Sequence, residues 1–165
     1  MGNAGPPCGT VGVDVQGAAP ASSCSWWASL SIAGRAYGVP CSAESLLVFD
    51  PNSPTCAVTG VDTKHVAQGP DKWRAVVASN GKVYAIPDRA DKMLVYDLES
   101  RTASGVDVRI IATGEKKWGA VVAAAGAIFG IPCHADRVLI YRPDTGKVTG
   151  VSTAKVATGV AKWLW

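Results

Sequence analysis

The sequence predicts an all-β protein built from copies of one four-stranded antiparallel unit. Three observations carry that prediction. Trp26, Trp73, Trp118 and Trp163 recur at intervals of 47, 45 and 45 residues. Fourteen residues after each of the first three stands a proline (Pro40, Pro87, Pro132), and ten further on stands Asp50, Asp97 or Arg142. The runs between these landmarks are rich in Val, Ile and Tyr and punctuated by Gly and Pro, which excludes a helical repeat.

The second copy shows how each element arises. Residues 73–78 form a short apolar run broken by Asn80-Gly81, a strong hairpin signal because both positions tolerate positive φ. Residues 82–86 make the second strand, which stops at Pro87, a residue without an amide to give to a ladder. The polar loop 88–92 leads to a third strand over 93–97, then a turn at 98–101 and a fourth strand over roughly 103–111. In the third copy the matching turns are Ala124-Ala125-Gly126 and Pro143-Asp144-Thr145-Gly146. Gly60-Val61-Asp62, Gly105-Val106-Asp107 and Gly150-Val151-Ser152 mark the outermost strand, thirteen residues before the next Trp. The first and third strands are apolar on both alternating faces, as expected of a sheet sandwiched between two neighbours.

Four short strands in about 45 residues is the size of one propeller blade. Gly81-Lys82-Val83-Tyr84-Ala85-Ile86-Pro87, then Ala90-Asp91, then Leu94-Val95-Tyr96-Asp97 resembles the repeats of kelch-like, NHL-like and lyase-like β-propellers and of algal propeller proteins. The paired glycines of a kelch blade and the Trp-Asp dipeptide of a WD40 blade are absent, so the likeness holds at superfamily level. It implies an incomplete β-propeller over 10–165 after a tail at 1–9. Within it lie an outer strand (10–25), three blades (26–72, 73–117, 118–162) and the start of another (163–165). Gly12-Val13-Asp14-Val15 echoes Gly105-Val106-Asp107-Val108, so the chain is expected to enter on an outer strand. Three blades do not close a ring of the usual four to eight. The expectation is a piece of a longer chain, or a half-ring completed by a second copy or a protein partner over the open blade edges.

Composition narrows the function classes. Of 165 residues, 48% are hydrophobic and 18% charged, and the net charge of +3 lacks the basic footprint of a nucleic-acid binder. Residues 1–9 have neither the basic start nor the apolar core of a signal peptide, and Pro6 spoils a myristoylation start. The uncharged stretch 118–133 is too short for a membrane span and reads as a hairpin. Cys8, Cys24, Cys41, Cys56 and Cys133 show no CxxC spacing, so no zinc site or disulfide framework is expected. Free thiols in a reducing compartment are expected instead. Cys41 and Cys133 share one repeat position and stand two blades apart, too far for a bond.

In a propeller, the loops between blades and those joining second to third strands share one end. That end holds the candidate binding face: Lys72, Trp73, Asp88, Arg89, Asp91, Lys117, Trp118, His134, Asp136, Arg137, Lys162 and Trp163. The repeated Lys-Trp pairs fit either a cationic and aromatic rosette or tryptophans packed between blades with each Lys reaching into water; periodicity favours packing. Asp91 and Asp136, echoed by Glu44, fit turn caps better than cation ligands. His65 and His134 occupy different repeat positions, and none of Glu44, Glu99 and Glu115 pairs with a His, so no catalytic set, metal or cofactor is expected. The function expected is a non-catalytic scaffold or protein-interaction module, such as an accessory subunit. The alternatives are a fragment of a lyase- or hydrolase-type propeller enzyme, and a lectin-like binder of carbohydrate or polyanion.

Overall fold

The computed structural model describes Val15 and residues 24–163. The expected outer strand 10–25 lies almost wholly outside the described residues, as do the tail 1–9 and residues 164–165. The described residues are all-β, in three four-stranded antiparallel sheets, each ordered as its strands follow in the chain. Sheet A holds β1 (Trp26–Ile32), β2 (Arg35–Pro40), β3 (Ser45–Phe49) and β4 (Val58–Asp62). Sheet B holds β5 (Trp73–Ser79), β6 (Lys82–Pro87), β7 (Lys92–Asp97) and β8 (Thr102–Asp107). Sheet C holds β9 (Trp118–Ala124), β10 (Ala127–Pro132), β11 (Arg137–Arg142) and β12 (Lys147–Ser152). The sheets stack as blades: β1 lies against β5 and β5 against β9, so the first strands run together along what would be the axis. The ring is not closed.

The first hairpins form where sequence places positive φ. Ala33-Gly34, Asn80-Gly81 and Ala125-Gly126 have φ of 51° and 73°, 48° and 70°, and 48° and 72°, the pattern of a type I′ turn whose twist suits the strands. The fourth strand of sheet B ends at Asp107, four residues before the expected Ile111. Val108 donates its amide to Asp91 O at 3.0 Å, and the amides of Ile111 and Ala112 turn back onto Val108 O, so 108–112 is a folded connection. Cys24, Cys41 and Cys133 are free thiols, whereas Cys56 is disulfide-bonded; the expectation of free thiols throughout is corrected there.

Two cores fill the two sheet junctions. Between A and B, Tyr37, Val39 and Leu46 meet Trp73, Val83, Leu94 and Tyr96. Between B and C, Tyr84, Ile86, Met93 and Val95 meet Trp118, Ile128, Leu139 and Tyr141. Sheet B is therefore apolar on both sides, since alternate residues of one strand feed opposite cores. The approach is close enough to need glycine. A Cβ on Gly130 would stand 2.8 Å from Ile86 Cδ1, and one on Gly105 would stand 2.8 Å from Val66 Cγ1. The repeated glycine of the outermost strand thus makes room for a side chain from the connection after the preceding blade.

Candidate functional site

The interblade connections and the β2–β3, β6–β7 and β10–β11 loops do gather at one end, and what gathers there differs from a rosette. Trp73 and Trp118 are fully buried. Each indole Nε1 donates to a carbonyl nineteen residues on: Trp26 to Ser45 O at 3.1 Å, Trp73 to Lys92 O at 2.8 Å, Trp118 to Arg137 O at 3.0 Å. The ring thus packs in the core while its one polar atom closes the start of the third strand.

The lysines overturn the expectation that they reach into water. Lys72 and Lys117 are 2% and 1% exposed. Lys72 Nζ donates to Cys41 O (3.0 Å), Ala43 O (2.8 Å) and Gly69 O (3.0 Å), three acceptors for its three N–H bonds. Lys117 Nζ donates to Asp88 O and Gly114 O, both at 2.7 Å. Lys162 Nζ reaches Gly159 O at 2.6 Å and Asp136 Oδ1 at 3.0 Å. Each lysine therefore ties the loop of one blade to the connection entering the next. The connection is shaped for this: Gly69, Gly114 and Gly159 have φ of 90°, 90° and 89°, and Asp71, Lys116 and Ala161 of 53°, 51° and 54°. Burial lowers the pKa of Lys72 and Lys117, opposed by nearby carboxylates and, for Lys72, by Cys41.

Asp88 is likewise internal, at 2% exposed. Its Oδ1 accepts the Lys116 amide at 2.6 Å, and its Oδ2 lies 3.3 Å from Arg74 Nη1; the guanidinium in turn lies 4.8 Å over the half-exposed Trp27 ring. Arg89 is at the surface between Asp71 (3.5 Å) and Glu115 (2.6 Å). Asp91 and Asp136 do not cap their turns with their carboxylates. Their main-chain carbonyls take Val108 N and Thr153 N, both at 3.0 Å. Capping falls instead to Asp50, Asp62, Asp97 and Asp107, whose Oδ1 atoms accept amides two residues on at 2.9–3.1 Å. His134 and Trp163 are half-buried and Arg137 is exposed. His65 bonds Ala103 O across the A–B junction at 2.9 Å.

Of the predicted face, Arg89 and Asp91 come together with Lys92 in a groove of about 450 Å³ beside Gln68 and Arg109. Its cations are largely answered: Arg89 by two carboxylates and Arg109 by Asp107. The arrangement offers little for chemistry. Burial pushes the Cys41 thiol up to about 12, so it is not a ready nucleophile. Among the described residues, no group of three or more His, Cys, Asp or Glu side chains is placed to hold a metal ion.

A different surface stands out. On the side of sheet C away from B, Val122, Phe129, Ile140 and Thr149 form one row across the four strands, in register. Ala120, Ile131, Val138 and Val151 line the same face one pleat along. Val122 and Val151 are 48% and 57% exposed, and Phe129, Ile131, Val138 and Ile140 are half-buried. Their repeat counterparts in A and B face the next blade. The repeat led to the expectation of open blade edges in need of cover, but it did not single out these residues, because the strand pattern is the same whether or not a neighbour covers it.

No protein-family model matches the chain, and no curated protein matches it. Solved structures do. A streptogramin B lyase superposes with a TM-score of 0.59 at 12% identity, over 78% of this chain and 40% of that one. The WD40 repeats of RRP9 give 0.55 at 10%, over 78% and 38%. The extracellular domain of BT4673 from B. thetaiotaomicron gives 0.58 at 13%, over 77% and 18%. The fold is that of β-propeller blades, and the chain spans well under half the length of these neighbours. At such identities the likeness extends to fold alone. Among the described residues, no helix is long and apolar enough to cross a membrane.

Proposed function

We propose that the chain is a non-catalytic protein-interaction module whose working surface is the open face of sheet C. The observation that carries this reading is the apolar face just described, with Val122–Phe129–Ile140–Thr149 in register across the four strands and the pairs Ala120–Ile131 and Val138–Val151 beside it. A contiguous apolar face of this kind marks a docking site. Its chemistry is that of the two junctions already filled: the matching faces of A and B each receive a tryptophan, a tyrosine and aliphatic side chains from the next sheet.

The occupant is the corresponding face of sheet A from a second copy. That face presents Trp26, Leu47 and Phe49, all half-buried, at the repeat positions of Trp73, Leu94 and Tyr96, which cover sheet A from B. The contact is heterologous, so two copies of three blades would close upon one another. The burial of Trp73 and Trp118 counts against a lectin-like rosette.

The test is solution mass by light scattering for the parent chain and for Ile131→Asp and Phe49→Asp. The expected result is a dimer that each substitution reduces to monomer, with far-UV circular dichroism unchanged. Mixing the two variants leaves one intact junction and should restore a weak dimer. A parent chain that stays monomeric at the highest soluble concentration overturns the reading.

A further inference from the structure

At the end of the A–B junction opposite the lysines lies a cleft of about 390 Å³. Its floor is Tyr37 and Tyr96, 2% and 4% exposed, with ring centroids 5.8 Å apart and planes tilted by 48°. Val48 and Leu98 flank the rings, and the rim carries Arg35, Asp50 and Arg101. Arg35 Nε is bonded to Asp50 Oδ2 at 2.8 Å. Arg101 has no ion pair among the described residues, and it is exposed on a backbone of φ 56°.

The B–C junction is an internal control. It repeats the floor as Tyr84 and Tyr141, 6.1 Å apart and tilted by 57°, and the rim pair as Lys82 and Asp97. Two things differ. Where sheet B carries Arg101, sheet C carries Gly146. The β3–β4 turn is longer: eight residues (50–57) lie between the paired Phe49 and Val58, against six (97–102) between Tyr96 and Ala103. That added length brings Ser53 and Ala57 up as a wall of the cleft. The B–C junction packs without either feature, so neither is required to stack two blades.

We infer that this cleft is a binding site for a small amphiphile with a flat apolar body and a carboxylate. The body lies against Val48, Leu98 and the tyrosine floor, and the carboxylate is taken by the unpaired guanidinium of Arg101. A planar guanidinium offers two parallel N–H donors to a carboxylate. Asp50 remains engaged by Arg35, so the cation facing the cleft is not cancelled. The volume falls within the usual range for small-ligand pockets, which are mostly apolar with a few placed polar groups.

The experiment is a titration with benzoate and, separately, its neutral isostere benzamide, followed by the NMR signals of Tyr37 and Tyr96. Arg101→Gly is the variant, since glycine relieves the positive φ and leaves the fold undisturbed. Benzoate should saturate with an affinity of about 1 mM or tighter, and Arg101→Gly should weaken it about tenfold or more while leaving benzamide unchanged. Absence of saturable benzoate binding overturns the inference. So does benzoate binding that Arg101→Gly does not weaken, or shifts that appear away from the two tyrosines. The outcome is independent of whether sheet C docks a second copy.

Discussion

The same pattern of residues meets two fates in this molecule. On sheet B, Tyr84, Ile86, Met93 and Val95 face sheet C and are 1%, 0%, 0% and 7% exposed. On sheet C the counterparts are Phe129, Ile131, Val138 and Ile140, equally apolar, with Phe129 paired to Ile140 as Tyr84 is to Val95, yet only half-buried. Strand pattern thus sets which side chains are available to a core, and the neighbouring sheet decides whether they join one. A blade taken alone is half an interface, and its second face is completed by whatever stacks upon it.

Substitutions can break that contrast. Ile86→Asp should have the largest effect, since a carboxylate with no partner would sit in the B–C core. A loss of about 4 kcal/mol or more is expected, read as a collapse of the urea midpoint. Ile131→Asp at the matching position of the open face should leave the monomer's midpoint within about 0.5 kcal/mol. Equal losses at both sites would mean that the two faces are equally covered.

Lys117→Met comes next. It keeps the length of the side chain but leaves Asp88 O and Gly114 O without their donor, at about 2–3 kcal/mol in urea unfolding. Lys162→Met, at the junction that faces no further described blade, should cost less than half as much. Gly130→Ala places a Cβ 2.8 Å from Ile86 Cδ1, and overpacking there should cost about 1–3 kcal/mol. Gly38→Ala, where the nearest atom is Leu47 Cβ at 3.3 Å, should be milder. The glycine pair therefore reports how tightly each face is held.

The smallest effect is in pH. The Lys82 ammonium, with the Ser100 and Glu99 amides, holds Asp97 at about 2 instead of 3.8. Its folded-state pKa is depressed, so its contribution is full above about 3.8 and is lost as pH falls toward 2. Arg35 lowers Asp50 in the same sense. Lys82→Ala should flatten the acid limb of a stability–pH curve slightly, without moving the neutral plateau.

Local features were legible in the sequence. The hairpins at Asn80-Gly81 and Ala125-Gly126 are fixed by two adjacent residues, and the strands around them by alternation. The repeat of Trp26, Trp73 and Trp118 marked the strand starts because one indole N–H closes the same carbonyl each time. Legibility ended where partners are distant in the chain. Lys72 reads as a surface residue, since its acceptors at Cys41 and Ala43 lie about thirty residues earlier and are main-chain atoms with no sequence signature. The end of β8 was misplaced for a similar reason: Val106 and Val108 alternate as a strand would, and only the bond from Val108 to Asp91 turns the chain. The tyrosine-floored cleft depends on a two-residue difference in one turn, which the repeat landmarks do not register.

The buried lysines also give the stack a polarity. Each junction consists of a socket of oxygen atoms on the earlier blade's loop and a plug, the lysine, carried on the segment that leads into the later one and steadied there by a glycine carbonyl of that same segment. Synthesis runs from the amino end, so every socket is exposed before its plug exists. A blade leaving the ribosome therefore keeps its socket open until its successor's first residues arrive, and each latch can close only in the direction of synthesis, from sheet A towards sheet C.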